Sequence, residues 1–267
     1  MTMKRILFAV FGLGLLLVAA VGAEAGDSSA DEIVKKANHI AYYEGQDGRA
    51  RVEMTVTDAQ GRTRQRVMTI LRMNVGDDAE QKYYVYFHRP TDVKGMAYIV
   101  WKHLDRDDDR WLYLPALDLV RRIAASDKRS SFAGTNFLYE DISGRSLSLD
   151  THELMGGDDK TYQIKNTPKD GNAVEFSYYV TWINKDNFVP LKAEYYDKEG
   201  KLYRRLEALE TKDVGGYLTI TKMKAEDLNA GSSTVALFSR IEYNIKLGED
   251  IFTERYLRKP PLQWIQE

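Results

Sequence analysis

From Arg49 to Leu247 the chain is a succession of strand-length segments punctuated by tight-turn signals. The punctuation is Asp58 to Gly61, Gly156-Gly157, Asp170-Gly171, Lys185 to Asn187, Glu199-Gly200, Gly215-Gly216 and Asn229 to Gly231. Val52, Met54 and Val56 alternate with Glu53, Thr55 and Thr57, a period of two that marks a half-buried strand, and Arg62 to Asn74 returns as its hairpin partner. Further strands are predicted at Ser146–Leu154, Tyr162–Asn166, Ala173–Ile183, Leu191–Asp197, Leu202–Thr211, Tyr217–Asp227 and Thr234–Leu247. In the last, Val235, Leu237, Ile241, Tyr243 and Ile245 are expected on one face and Arg240, Glu242, Asn244 and Lys246 on the other. Strands joined this way in sequence order describe an antiparallel sheet that curls as it grows.

Two segments break the alternation. In Lys82–His88, Tyr83, Val85 and Phe87 oppose Tyr84 and Tyr86, and in Ala97–Leu104, Tyr98 and Val100 oppose Ile99 and Trp101. A strand apolar on both faces is covered on both faces. One face is expected to join the ordinary core, and the other to lie under a lid or to line a hydrophobic cavity. Ahead of the strands, Ser28 to Tyr43 reads as a helix. Ser28 or Ser29 caps it, Asp31 and Glu32 sit at its positive end, Ile33, Ala37 and Ile40 form a stripe, and Lys35, Lys36 and Asn38 face away. Asp250 to Leu257 is expected to form a short closing helix.

The N-terminus has Lys4 and Arg5, an apolar run from Ile6 to Val21, and Ala23-Glu24-Ala25 before polar residues, the layout of a secretory signal peptide. Residues 1–25 are therefore read as a cleaved leader and 26–267 as one domain. No cysteine stands at the cleavage site, so the mature protein is not expected to be a lipoprotein, and in a Gram-negative cell it would reside in the periplasm. With 38 Lys and Arg against 40 Asp and Glu, the chain lacks the basic surplus that nucleic acid requires.

Catalytic patterns are missing. The four histidines have no metal-ligand spacing, and there is no Gly-x-Ser-x-Gly elbow, P-loop or dinucleotide fingerprint. Asp105 to Asp109 departs from a calcium loop, with Arg110 where glycine is needed and Ala116 where glutamate is needed, and reads as a solvated turn. The reading is of a protein that is not an enzyme, with no catalytic residues, no metal and no cofactor, and that is monomeric.

The densest stretch is Trp111 to Ser143. Its aromatics, with those of the doubly apolar strands, are the candidate ligand wall and lid: Tyr84, Tyr86, Trp101, Trp111, Tyr113, Leu114, Phe132, Phe137 and Tyr139. Arg121, Arg122, Lys128 and Arg129 are candidates for contact with an acidic partner or anionic headgroups, or for internal pairing with Glu140 and Asp141.

WLYLPALDLVRRI followed by SFAGTNFLYEDI, preceded by Gly95-Met96-Ala97-Tyr98, resembles the signature block of the LolA-like periplasmic proteins, the outer membrane lipoprotein-sorting branch. The resemblance implies a mainly β fold: a strongly curved, unclosed antiparallel β-barrel with helices plugging its concave side. It also implies a cavity for acyl chains or other hydrophobic molecules, and a periplasmic carrier that exchanges such cargo with a transporter of the resistance-nodulation-division (RND) class or the outer membrane. A non-enzymatic accessory or sensor subunit that docks on such a transporter is the alternative. The block is not a feature of the lipoprotein carrier that gave the family its name, so the resemblance does not extend to lipoprotein as cargo.

Overall fold

The computed structural model describes residues 29–76 and 80–266. The expected leader lies outside these residues. No helix among them is long and apolar enough to cross a membrane.

The chain enters through α1 (Ala30–Tyr42). The Ser29 side chain accepts from Glu32 N, and Glu32 reaches back to Ser29 N, a reciprocal capping box. Thirteen strands follow: β1 (Asp47–Thr57), β2 (Thr63–Val75), β3 (Glu80–Arg89), β4 (Ala97–Lys102), β5 (Asp109–Leu114), β6 (Leu119–Arg122), β7 (Asp150–Gly157), β8 (Thr161–Pro168), β9 (Phe176–Asn184), β10 (Pro190–Asp197), β11 (Leu202–Val214), β12 (Tyr217–Asp227) and β13 (Ser232–Tyr243). Between β6 and β7 lies α2 (Tyr139–Ser143), and α3 (Glu254–Arg258) and α4 (Leu262–Ile265) follow β13.

All thirteen strands form one antiparallel sheet in the order β6-β5-β4-β3-β2-β1-β13-β12-β11-β10-β9-β8-β7. Every neighbour is a sequence neighbour except β1 and β13, whose pairing joins a meander of β1–β6 to a meander of β7–β13. β6 and β7 remain unpaired edges, so the barrel is unclosed. The single connection between those edges, residues 123–149, runs across the concave side as a lid.

The doubly apolar strands are covered twice, as their sequence requires. On the concave face Tyr83, Val85, Phe87, Tyr98 and Val100 pack with Phe132, Phe137 and Tyr139 of the lid. On the opposite face Tyr84, Ala97 and Ile99 pack with Leu247, Ile251, Phe252, Leu257 and Ile265 of the C-terminal segment. Tyr84 Oη donates to Tyr256 O at 2.9 Å, and Trp101 Nε1 donates to Phe252 O at 2.6 Å. In the second half, α1 buries Ile33, Val34 and Ala37 against Ile164 and Ile183 of β8 and β9.

Several local expectations change. Ser146 to Leu149 is not strand: Leu147–Leu149 is a 3-10 turn and β7 begins at Asp150. In β13 the inward residues are Thr234, Ala236 and Phe238, and Leu237 is exposed. Arg240 adopts a positive φ of 48°, and Arg240 and Ile241 together oppose the single residue Ala50. This bulge reverses the phase, so only the later residues Ile241 and Tyr243 face as expected. Asn38 of α1, expected on the wet face, is half-buried at the cavity described below. The Asp105–Arg110 turn is solvated only in part. Asp108 accepts from His103 N at 3.2 Å and Arg110 Nη2 at 2.6 Å, and Asp109 accepts from His103 and Arg106 and pairs with Arg122. Cations crowded around these carboxylates draw them inward, and hydrogen bonds from Arg106 and His103 hold Asp109 below the usual carboxylate range against its partial burial.

Candidate functional site: an apolar cavity beneath the first helix

A cavity of about 350 Å³ lies on the concave side. Val34, Ala37, Ile40 and Ala41 of α1 form one wall. Ile183, Leu206, Ile220, Met223, Phe238 and Ile241 of the facing strands form the other. The lid closes one end with Phe137, Asp141, Ile142, Arg145 and Leu147. Alanines face the void from both sides, Ala37 and Ala41 on the helix and Ala193 and Ala208 on β10 and β11. Small side chains at these positions leave the space that leucines would fill.

The charges at the lid end are matched internally. Arg129 pairs with Glu140 at 2.9 Å and Glu175 at 2.6 Å. Arg145 pairs with Glu140 at 3.2 Å and Asp150 at 2.8 Å, and Arg204 pairs with Asp141. The guanidinium of Arg129 also lies 4.8 Å from the Phe176 ring centroid. Arg129 and Arg145 hold Glu140 below the usual carboxylate range despite burial, and the hydrogen bond from Arg129 brings Glu175 down to about 2. Ion pairs this deep fix the lid's register on the strands below it. Asn136 adds neutral ties to β13, donating to Ser232 Oγ at 2.8 Å and accepting from Thr234 Oγ1 at 2.7 Å.

The nine candidate ligand-wall residues separate into three places. Phe137 lines the cavity. Phe132, Tyr139 and Leu114 pack in the core between lid and sheet, where Phe132 sits 5.4 Å from Tyr98 and 5.5 Å from Tyr139 by ring centroids. Tyr84, Tyr86, Trp101, Trp111 and Tyr113 lie on the opposite face of the sheet under the C-terminal segment, with Trp101 and Trp111 edge to face at 5.1 Å. The basic pairs also divide. Lys128 reaches Asp107 at 3.2 Å and Arg129 is buried in the network above. The Arg121 and Arg122 side chains keep 59% and 68% of their surface exposed. Of the helix stripe Ile33, Ala37 and Ile40, Ala37 and Ile40 line the cavity, and Ile33 is buried against β8 and β9. Arg145 and Arg204 carried no sequence signal that distinguishes them from solvated arginines.

A protein-family model described as "-like: Uncharacterized protein" matches residues 79–259. A DUF1329 family protein from Desulfovibrio piger is 30% identical, with a TM-score of 0.79 over 85% of this chain and 97% of its own. The chain belongs to the DUF1329 family. An outer membrane lipoprotein-sorting protein domain from Vibrio parahaemolyticus is 28% identical, with a TM-score of 0.78 over 86% of this chain and 98% of its own. A LolA superfamily protein from Nitrosomonas europaea, 21% identical, shares the fold with a TM-score of 0.67 over 86% of this chain and 100% of its own. No curated protein matches significantly. The DUF1329 fold seen here is therefore LolA-like: a curved antiparallel sheet that stops short of closure, with α1 and the lid on its concave side.

Proposed function

We propose that residues 26–267 form a periplasmic carrier domain for lipids or other hydrophobic molecules, which it exchanges with a membrane transporter or the outer membrane. The supporting observation is the apolar cavity of about 350 Å³ beneath α1, within the size range of small-molecule sites. Binding there rests on burying apolar surface, about 0.8 kcal/mol per methylene, with no bond made or broken. Phe137 is the lid residue that meets the cargo, and α1 is the wall whose displacement admits it. The test is gentle purification followed by organic extraction and mass spectrometry, with a fluorescent fatty-acid titration alongside. A protein that carries no lipid and does not bind the probe is not a carrier.

A second reading is favoured by one observation. The hairpin tip Pro115–Leu119 is exposed throughout, with Leu117 at 69%, and it stands beside exposed Arg121 and Arg122. Such a tip suits docking on an RND-type transporter, as an accessory or sensor subunit would. Reversing both arginines to glutamate is expected to abolish association while lipid binding persists. Association that survives the reversal excludes this surface.

A further inference from the structure

The cavity has two polar regions: one at Arg72, whose guanidinium donates to Glu44 O, Gly45 O and Asn74 Oδ1, and one at the corner where the lid meets β9 and β10. Tyr42, Asp141, Tyr179 and Tyr195 reach the cavity there. Tyr179 is used: its hydroxyl donates to Asp150 at 2.9 Å. Tyr42 is used weakly, with its hydroxyl 3.4 Å from Asp141 O. Tyr195 is idle. It is 6% exposed, its ring stacks on Tyr179 at 4.8 Å, and its hydroxyl makes no hydrogen bond among the described residues. Burial pushes the Tyr42 and Tyr195 phenols up, so both keep their protons and remain donors. Behind them Arg204 Nη1 is also buried without a partner, with its guanidinium 5.1 Å from the Tyr195 ring centroid.

Buried polar groups are normally hydrogen-bonded, and one left idle calls for an explanation. Here the surplus consists of donors, so the missing group is an acceptor. Its charge follows from the pairing. Arg145 spends its guanidinium on Asp150 and Glu140, and Arg204 is matched by Asp141. Asp141 itself faces the cavity. A carboxylate brought to this corner would meet phenols and a carboxylate, with no uncommitted cation to offset its desolvation. A neutral oxygen meets no such penalty.

We propose that this corner is a headgroup subsite, in which Tyr195, assisted by Tyr42, donates to a single neutral oxygen, a hydroxyl or a carbonyl, at the end of a long apolar ligand. The ligand enters oxygen first, and its apolar body lies along α1. This rests on the carrier reading and specifies its cargo as a neutral amphiphile rather than a fatty acid or a cationic lipid.

The test is displacement of bound N-phenylnaphthylamine by three ligands with one common chain: dodecanol, dodecanoate and dodecyltrimethylammonium. Dodecanol is expected to displace the probe at a concentration about 3- to 10-fold below the others, the worth of one hydrogen bond. Tyr195→Phe should weaken dodecanol by about the same 3- to 10-fold factor and leave dodecanoate unchanged. Tyr42→Phe should act in the same direction. Because the Tyr195 hydroxyl is idle without ligand, the thermal midpoint of Tyr195→Phe should hold or rise. A dodecanoate preference, an unaltered dodecanol affinity in Tyr195→Phe, or a lowered midpoint in that variant overturns the subsite. Probe binding with displacement indifferent to the headgroup overturns the subsite and leaves the carrier standing. Failure to bind the probe at all removes both.

Discussion

The two meanders of the sheet are covered differently. β1–β6 are packed on both faces, by the lid on the concave side and by residues 247–265 on the other. β7–β13 are packed on the concave side only. Their outer face carries half-exposed stacks and ion pairs, such as Tyr178 on Tyr196 at 4.6 Å, Lys192 over Trp182 at 3.7 Å, and Arg205 with Glu194 at 2.9 Å. The cavity lies between α1 and the singly covered half and extends to Met54, Ile70 and Tyr83 at the border of the other. The lid packs its aromatics on the first meander and pairs its charges with Asp150 of β7, Glu175 and Arg204 of β11, and it is an irregular segment whose side chains fill what they face. The element that covers the second is a straight helix, and a straight helix over a curved sheet touches it at some places and stands off at others. Stability is therefore concentrated where the layers interlock, and binding capacity where they do not.

The interlock is where substitution should cost most. Arg129→Ala strips the buried Glu140 of one of its two partners and removes the pair to Glu175. Breaking a buried pair from one side typically costs about 3–5 kcal/mol, and urea unfolding should register a loss of that order. A loss below about 1 kcal/mol, the worth of an exposed pair, would mean that the lid is not locked by its charges.

The next effect is a pH dependence on the same side. Lys102 is buried, and its ammonium donates to Ser143 O at 2.6 Å and Gly144 O at 2.8 Å, beside Asp108, Arg110, Glu140 and the Tyr42 ring. Burial brings it down to about 8 from an ordinary 10.5. The folded state therefore holds fewer protons than the unfolded one between these values, and stability should rise with pH across that window. Above pH 10 the buried tyrosines, whose phenols burial pushes up, reverse the sign. From pH 8 to 10 the gain should be about 1–3 kcal/mol, and Lys102→Met should abolish it. A slope that persists in Lys102→Met would assign it to another group.

Much of this architecture was legible because it rests on local signals. The turns are set by glycines and Asx residues, and the double cover of β3 and β4 by apolar residues at adjacent positions. The helix start was written in Ser29 and Glu32. What escaped depends on depth. Leu202 to Leu206 reads Leu-Tyr-Arg-Arg-Leu, and nothing in it separates Arg204, which is buried on Asp141, from Arg205, which is half-exposed on Glu194. The bulge at Arg240 inverted the facing of β13 without a glycine to announce it. The aromatics of Trp111–Tyr139 advertised a ligand wall, but large rings fill space: Phe137 alone of them lines the void, whose other rings, such as Tyr42, Tyr179, Tyr195 and Phe238, stand on α1 and the later strands.

On the cavity side smaller effects are expected. Ser29→Ala removes the N-cap of α1 and should cost about 1 kcal/mol. Amide exchange should accelerate throughout α1 and not in β3 or β4, since among the described residues no ion pair ties the helix to the sheet as the lid's pairs do. Uniform acceleration would mean that both halves open together.

The smallest effect on folding should accompany the largest on binding. Ala208 is half-buried on β11 and faces the void. In a well-packed core, Ala208→Phe would overpack the site at about 1–3 kcal/mol. Here the ring enters space that is already open and buries apolar surface against Leu206 and Ile220, so the unfolding midpoint should move by less than about 1 kcal/mol. The same ring occupies the ligand's place, and affinity for a fluorescent acyl probe should fall by at least about tenfold, or 1.4 kcal/mol. Loss of stability with affinity retained would show that Ala208 packs as an ordinary core residue and that the ligand lies elsewhere. Loss of affinity with stability retained would show that the stand-off of α1 from the sheet, rather than any aromatic cluster, is what this half of the molecule is built to provide.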